Sequence, residues 1–563
     1  MSERNTQQKF FQSGTPWIWL NAAAVSISII MVMGLLLLIA VSGLGHFWPK
    51  TIWEIEYQDQ NAQVVLLGER ARTKTVSVKQ LADAGIQIDG DDEFIERTLL
   101  KTGNRDVYGF DFKLIVGPNE LKQSKPTEAI VFERTEWGNF YGFIKSIQEY
   151  DQTIELTQAN ADSQSQDLWF ELQQRIVRVQ ELRERIHKIE KNEIGAVNYR
   201  MEKLRLRERK AELDNRLDRQ MQEKLAADKS LLDEEYAKLK SELDTIYEEI
   251  RRDSVIMSVM NGRDVTINLS EIIKATRPNS MNVFQKLITY LVNIKDFVSE
   301  DPREANTEGG IFPAIFGTVM MVLLMAIIVT PFGVIAAIYL REYAKQGFVT
   351  RLVRISVNNL AGVPSIVYGV FGLGFFIYFL GGHIDKLFYP EALPAPTYGS
   401  GGLLWASLTL ALLTVPVVIV ATEEGLARIP RSIREGSLAL GATKAETLWR
   451  TIIPMASPAM MTGLILAVAR AAGEVAPLML VGAVKLAPSL PVDMNAPFIH
   501  LERKFMHLGF HIYDVGFQSP NVEAAQPLVY ATALILVAVI IVLNISAIYI
   551  RNHLREKYKT MEQ

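Results

Sequence analysis

The 563-residue sequence contains no cysteine. That absence excludes disulfides, thiolate zinc sites, iron–sulfur clusters and cysteine nucleophiles, so any large extracytoplasmic domain folds without covalent staples. Basic charge is not in excess either: 59 Lys and Arg against 63 Asp and Glu leave a formal net charge of −4. A nucleic-acid backbone finds no electrostatic footprint here, and nucleic acid is set aside as a partner. The chain lacks a GxxxxGK[ST] loop. It therefore has no phosphate cradle of that type, and any nucleotide hydrolysis is assigned to another subunit.

What the sequence does have is segregation. Residues 171–250 hold 18 Lys/Arg and 19 Asp/Glu, 37 of the 122 charged residues, while other long stretches are almost free of charge. A bilayer core of about 30 Å needs roughly twenty apolar residues in a helix. Six stretches qualify: Trp17–Gly45, Pro313–Tyr339, Asn359–Gly381, Gly402–Ala421, Pro458–Val484 and Pro527–Ile550. The first is too long for a signal-peptide core and has no small-residue cleavage site, which predicts an uncleaved anchor. Only the fifth carries charges, Arg470 and Glu474.

Cytoplasmic loops retain Lys and Arg. Segments 1–16, 341–354, 423–450 and 551–563 carry fifteen of them, whereas 382–401 and 485–526 carry only Lys386, Lys485, Arg503 and Lys504. Both termini are thus expected in the cytoplasm of a multi-pass inner-membrane protein, with the long segment between the first two spans outside, periplasmic where there is an outer membrane. Three regions result: 1–45, a cytoplasmic N-terminus and first span; 46–310, the external domain; and 311–563, a domain of five further spans.

Within the external domain the spacing of Trp53, Ile55 and Tyr57, and of Phe110, Phe112, Leu114 and Val116, has the two-residue period of half-buried strands. A β-rich fold is predicted over 51–157 and 253–275. Between them, about 166–252, Tyr236, Leu239, Leu243, Ile246 and Ile250 follow 3,4 spacing, which predicts a coiled-coil hairpin accessory to the spans. Gly195, flanked by Asn192 and Asn198, marks the expected turn. An amphipathic helix is predicted over about 282–299, either lying in the membrane interface or packed on the β domain.

Two patterns carry chemistry. Arg470 and Glu474 are spaced i, i+4, on one face of a continuous fifth helix. An ionised side chain within a span costs about 2.5–3.5 kcal/mol on insertion scales, which calls for a reason. Counted from Pro458, Arg470 falls near the bilayer midplane. The bland reading is a neutralising pair that lets the helix pack; the functional one is a guanidinium that binds an oxyanion. The second pattern is Glu435, Gly436, Ser437 and Gly441, followed by Ile453 and Pro454, on the cytoplasmic side. Small residues let a helix over 435–446 seat closely on a partner, and Gly441 ends it where other residues are strained. His500, His507 and His511 could share a helical face as metal ligands, but Pro497 and Gly509 argue against a helix there.

The second pattern resembles the EAA loop of ABC-importer permeases, with Gly436-Ser437 in place of two alanines. Gly309–Thr318, Pro331–Leu340, Gly362–Gly369, Ala421–Leu426 and Arg470–Pro477 are similar to segments of the A-type phosphate permeases, the PstA family, a likeness that covers about 300–555. Glu136–Gly142 extends it to the external domain of long-form members. The resemblance implies a type I, MetI-like permease of six transmembrane helices that imports phosphate and is not itself an enzyme. It implies a sister C-type permease, two copies of a cytoplasmic ATPase that uses ATP and magnesium, and a periplasmic phosphate-binding protein. Arg470 and Glu474 would then line the substrate path, and 435–454 would couple to the ATPase. Another oxyanion importer is the nearest alternative. A coiled-coil membrane receptor would need an output domain, which the short cytoplasmic segments leave no room for, and division-type scaffold proteins have four spans.

Overall fold

The computed structural model describes residues 13–59, 62–83, 93–117, 120–150, 152–154, 161–260, 262–519 and 522–559. Segment 1–12, expected in the cytoplasm, and positions 155–157 of the expected β region lie outside the described residues. Among the described residues six helices are long and apolar enough to cross a membrane: Pro16–Gly45, Phe312–Tyr343, Ser365–Phe388, Leu403–Arg428, Lys444–Gly473 and Ala525–His553. In lipid such helices are stable because each satisfies its own backbone. The third starts later than the sequence predicted. Pro364, at φ −54° and ψ 135°, stands before it and separates it from an amphipathic helix, Phe348–Leu360.

Leu403–Arg428 is the most buried span and packs against both Phe312–Ile338 and Ile453–Gly473. Small residues bring the helices together. A Cβ on Gly333 would stand 2.6 Å from Val418, and one on Gly463 would stand 2.6 Å from Ala421. Thr409 and Thr414 donate to the carbonyls of Trp405 and Leu410 at 2.7 and 2.8 Å, so their hydroxyls are satisfied inside the bundle.

Between the first two spans the chain builds two large antiparallel sheets, besides a two-stranded ribbon of Pro302–Arg303 and Glu308–Gly309. One contains β1 (Ile52–Asp59), β2 (Ala62–Ser77), β3 (Phe94–Lys101), β4 (Phe112–Val116) and β5 (Glu120–Ser124), in the order β4-β3-β2-β1-β5. The other contains β6 (Ile130–Arg134), β7 (Phe140–Glu149), β8 (Gln152–Ile154), β9 (Asp253–Ser258), β10 (Asp264–Asn268) and β11 (Ile272–Thr276), in the order β10-β9-β7-β6-β11 with β8 on β7. The expected alternation holds for Ile55 and Tyr57, which are buried, but Phe110 lies before β4 and is exposed.

A helical hairpin runs from β8 to β9. Its first arm continues from Ala161 to Leu213 through a π-helical stretch, Lys188–Ile194, and its second is Arg219–Ile250. The turn is therefore at 214–218, not at Gly195, whose backbone is helical at φ −56° and ψ −42°. Asn215 takes the left-handed conformation at φ 54°, and the Asp218 side chain caps the second arm by accepting from Met221 N–H at 2.7 Å. A lone glycine costs a helix only about 1 kcal/mol, and the adjoining turns outweigh that.

The base of the hairpin belongs to the β domain. Leu168, Leu172, Ile176 and Val179 are buried in one core with Phe132, Phe140 and Val255. Beside it, fully buried Asp253 pairs with Arg175 and Arg178, both at 2.8 Å, and with Arg252 at 3.0 Å, so the burial of its charge is compensated. Farther along, the first arm rests on loops between the spans. Lys210 pairs with Glu391 at 3.5 Å, the Tyr199 hydroxyl donates to the Ala496 carbonyl, and the Tyr199 ring meets His500 edge-on.

Candidate functional site

The fifth span does not continue to Val484. Helix Ile453–Gly473 stops, Glu474 turns extended at φ −80° and ψ 130°, and a short helix, Ala476–Val481, follows with Pro477 in its first turn. Gly369 and Gly372 of the third span make room for that short helix: a Cβ on Gly369 would stand 2.7 Å from Pro477 Cα, and one on Gly372 would stand 2.9 Å from Val481. Arg470 is in the last turn of the long helix, at the negative end of its dipole, rather than midway along a continuous span.

Arg470 Nε and Glu474 Oε1 are 3.6 Å apart and both side chains are partly exposed. The pair keeps the i, i+4 spacing expected from the sequence, but at the end of a helix rather than within a continuous one. Glu474 is the C-cap residue of the helix, and at φ −80° its side chain still stands one turn beyond Arg470; only its ψ of 130° turns the chain away after it. At this distance the contact is an ion pair without hydrogen-bond geometry, so the guanidinium is neutralised but not locked into a bidentate fork.

The segment predicted as one helix over 435–446 is two. Arg431–Ala439 ends at a turn in which Gly441 adopts φ 89°, and Lys444–Thr447 begins the run of helix that leads through Leu448–Ile452 into Ile453–Gly473. Thr443 and Glu446 form a capping box: Glu446 Oε2 accepts from Thr443 N–H at 2.9 Å, and Thr443 Oγ1 accepts from Glu446 N–H at 3.3 Å. Pro454 lies inside the run of helix from Lys444 to Gly473, just after the π-helical stretch Leu448–Ile452, where the ladder already departs from α-helical spacing. Arg434 fixes the first helix to the spans, donating to the carbonyls of Leu426 and Ile429 and pairing with Glu342 at 3.0 Å.

Glu435 and Gly436 lie on the exposed side of this motif, and no described heavy atom stands within 4 Å of where a Cβ on Gly436 or Gly441 would be. Leu440 is 91% exposed and Trp449 73%, which sequence reasoning missed. The available signal was large apolar residues within a charged connecting segment.

The three histidines have separate roles. His500 sits between Asp493 at 3.0 Å and Glu502 at 3.2 Å, His507 Nδ1 accepts from Gly509 N–H at 3.1 Å at the start of helix Leu508–Phe517, and His511 is buried within that helix. Burial lowers His507 to about 3; His511 falls to about 4, chiefly from burial, with nearby Asp514 raising it and Lys485 lowering it. Asp493 is pushed up by burial, but the Asn495 N–H, Arg503 and His500 outweigh that and hold it at about 2. Among the described residues, no group of three or more His, Asp or Glu side chains could hold a metal ion.

Six apolar helices, a broken fifth span and a paired-helix motif bearing exposed Leu440 and Trp449 make up the membrane part of the described residues. Residues 329–560 match the family described as "Binding-protein-dependent transport system inner membrane component", which supports the MetI-like permease fold expected from the sequence. The chain is 38% identical over 175 residues to "Phosphate transport system permease protein PstA 1" of Mycobacterium tuberculosis (strain CDC 1551 / Oshkosh), covering 31% of this chain and 52% of that one. It is 32% identical over 189 residues to "Probable phosphate transport system permease protein PstA" of Methanocaldococcus jannaschii, covering 33% and 60%. It is 31% identical over 195 residues to "Probable ABC transporter permease protein YqgH" of Bacillus subtilis, covering 34% and 59%. The chain thus spans between 52% and 60% of the length of these curated relatives. Among solved structures, a chain of the MetNI methionine ABC transporter in an inward-facing conformation is similar at 17% identity and a TM-score of 0.32, covering 43% of this chain and 94% of that one.

Proposed function

We propose that this chain is the permease subunit of an ATP-driven phosphate importer of the inner membrane, with both termini and the 431–454 motif in the cytoplasm and the β domain outside. The observation that carries this reading is the likeness of its spans to relatives named as phosphate transport permeases. The chain forms the path together with a sister permease, two ATPase subunits bind its paired-helix motif, and an external binding protein delivers phosphate. ATP and magnesium are held by the ATPases.

The geometry supports a division of labour. Leu440 and Trp449 give the ATPase an apolar grip, and the turn at Gly441 joins that grip to the helix ending at Arg470, so movement of the motif is transmitted along one run of helix. At the other end Arg470 offers planar donors that match two oxygens of an oxyanion. Glu474 holds it when no anion is present.

Uptake of radiolabelled phosphate by cells that lack their own phosphate importers and express this chain with its partner subunits tests the reading. Phosphate uptake should resist excess sulfate or molybdate. Preferential competition by another oxyanion would reassign the substrate, and absence of any oxyanion uptake from an assembled complex would refute the function.

A further inference from the structure

The helix Val283–Ser299 follows the β domain and leads into the second span. It starts at a complete capping box, with Asn282 and Gln285 each satisfying the other's backbone N–H, so its first turn is fixed rather than frayed. One side is anchored to the ends of two spans. Phe297 packs on Phe47 with ring centroids 5.1 Å apart, Tyr290 meets Trp48 at 5.7 Å, and Asn293 donates to the Phe47 carbonyl at 3.0 Å. Ile311, just before the second span, donates its N–H to the Phe297 carbonyl at 2.8 Å. These contacts fix the helix at the level where the first span ends and the second begins.

The adjoining arc has no such cover. Val283 is 77% exposed and Phe284 70%, and Leu287, Ile288, Leu291 and Val292 are exposed beside them. At 100° per residue these six occupy one half of the helix surface, while Gln285, Thr289 and Asp296 occupy the opposite side. Lys295 rises within the apolar arc near its C-terminal end, where a long stem can lie along apolar surface and carry the ammonium out to water.

We infer that this arc is inserted in the bilayer surface, at the boundary of headgroups and acyl chains in the leaflet on the β domain's side, and that the helix holds the β domain at a set height over the spans. The occupant is lipid because the arc adjoins the lipid-facing surface of the spans. The helix is tied to Phe47 and Ile311 at two span ends, and the first span it touches has its own apolar side chains exposed along nearly its whole length. An apolar half-cylinder at that level, with a polar opposite side, has the form of an interfacial helix.

The absence of native cysteine permits a direct test. Single variants Phe284→Cys, Leu291→Cys and, as a water reference on the exposed hairpin, Ser230→Cys are spin-labelled in the full-length protein in nanodiscs of phosphatidylethanolamine and phosphatidylglycerol. Collisions with oxygen, which concentrates in lipid, and with a water-soluble nickel chelate are then measured. The expected oxygen-to-nickel ratio is several-fold higher at positions 284 and 291 than at 230. A water-like ratio at both positions would overturn the inference. So would exclusion of both collision partners, which would mean that protein covers the arc.

Discussion

The hydroxyls of Ser437 and Thr447 meet at 2.9 Å across the turn that Gly441 makes at φ 89°. The contact clasps two short helices into one unit with its apolar residues facing away from the spans. Its shape depends on a backbone conformation that costs other residues about 1–3 kcal/mol. Gly441→Val is therefore expected to deform the motif without touching the packed spans. Insertion and complex assembly should stay near normal while ATP hydrolysis no longer drives uptake. Comparing ATPase activity with uptake in the same proteoliposomes checks this, and coupled transport at the parental rate would remove the motif from the coupling path.

Arg470 and Glu474 are expected to act on the anion rather than on packing. Hydrogen bonds to a charged group contribute about 1.5–3 kcal/mol, so Arg470→Gln should lower uptake by roughly 10- to 100-fold at unchanged complex yield. Arg470→Lys should retain part of the activity, because charge survives while the bidentate geometry is lost. The combined Arg470→Gln, Glu474→Gln change separates the two roles by leaving no unpaired charge. It should stay as impaired as Arg470→Gln alone; recovery to the parental rate would make the pair a packing device.

Much of this site was legible and part of it was misread. Gly441 announced its own turn by residue type. The break at Glu474 was also written in the sequence, since Gly473 and Pro477 are ordinary stop and start signals, but the length of the apolar run concealed it. The hairpin turn used Asn215 and Asp218 where a glycine had been expected. The contacts of Lys210 with Glu391 and of Tyr199 with Ala496 had no sequence signal at all, because they join residues far apart in the chain and follow no periodicity.

Those contacts and the shared core change what can be removed from the hairpin. Arg200 and Glu235 pair across the two arms at 2.5 Å, so a short glycine-containing turn replacing 201–234 can reconnect the arms there. That truncation should preserve measurable phosphate uptake. Deleting 166–252 should instead abolish accumulation of the protein, because it strips Leu168, Leu172, Ile176 and Val179 from the core over Phe132 and Phe140, where each lost large side chain costs about 2–5 kcal/mol. Quantifying membrane-inserted protein before assaying uptake distinguishes the two outcomes.

Buried His507 imposes a pH dependence on stability. Its folded pKa, about 3, lies below the ordinary 6.5, so its contribution is fully present above pH 6.5 and is lost as pH falls toward 3. By pH 5 the unfolded chain gains about 2 kcal/mol from protonation that the folded site refuses. The purified protein should melt at a lower temperature at pH 5 than at pH 7.5. His507→Asn, which keeps an acceptor for Gly509 N–H, should reduce that difference even if it lowers stability at both pH values.

The insertion of the hairpin between β8 and β9 also dictates an order of biosynthesis. Strand β7 pairs early with β6 and β8, but its pairing on the other edge, with β9 from Phe143 opposite Ser258 to Glu149 opposite Asp253, must await residues made roughly a hundred positions later. At about 5–20 residues per second that is a delay of some 5–20 s, during which the nascent sheet has an open edge beside Ile144 and Ile147. Helices form within about a microsecond, so the first arm is complete long before β9 is made. Leu168 and Leu172, which share a core with Phe140 and Ile147 in the finished fold, are therefore on hand to cover the waiting strand before its partner exists.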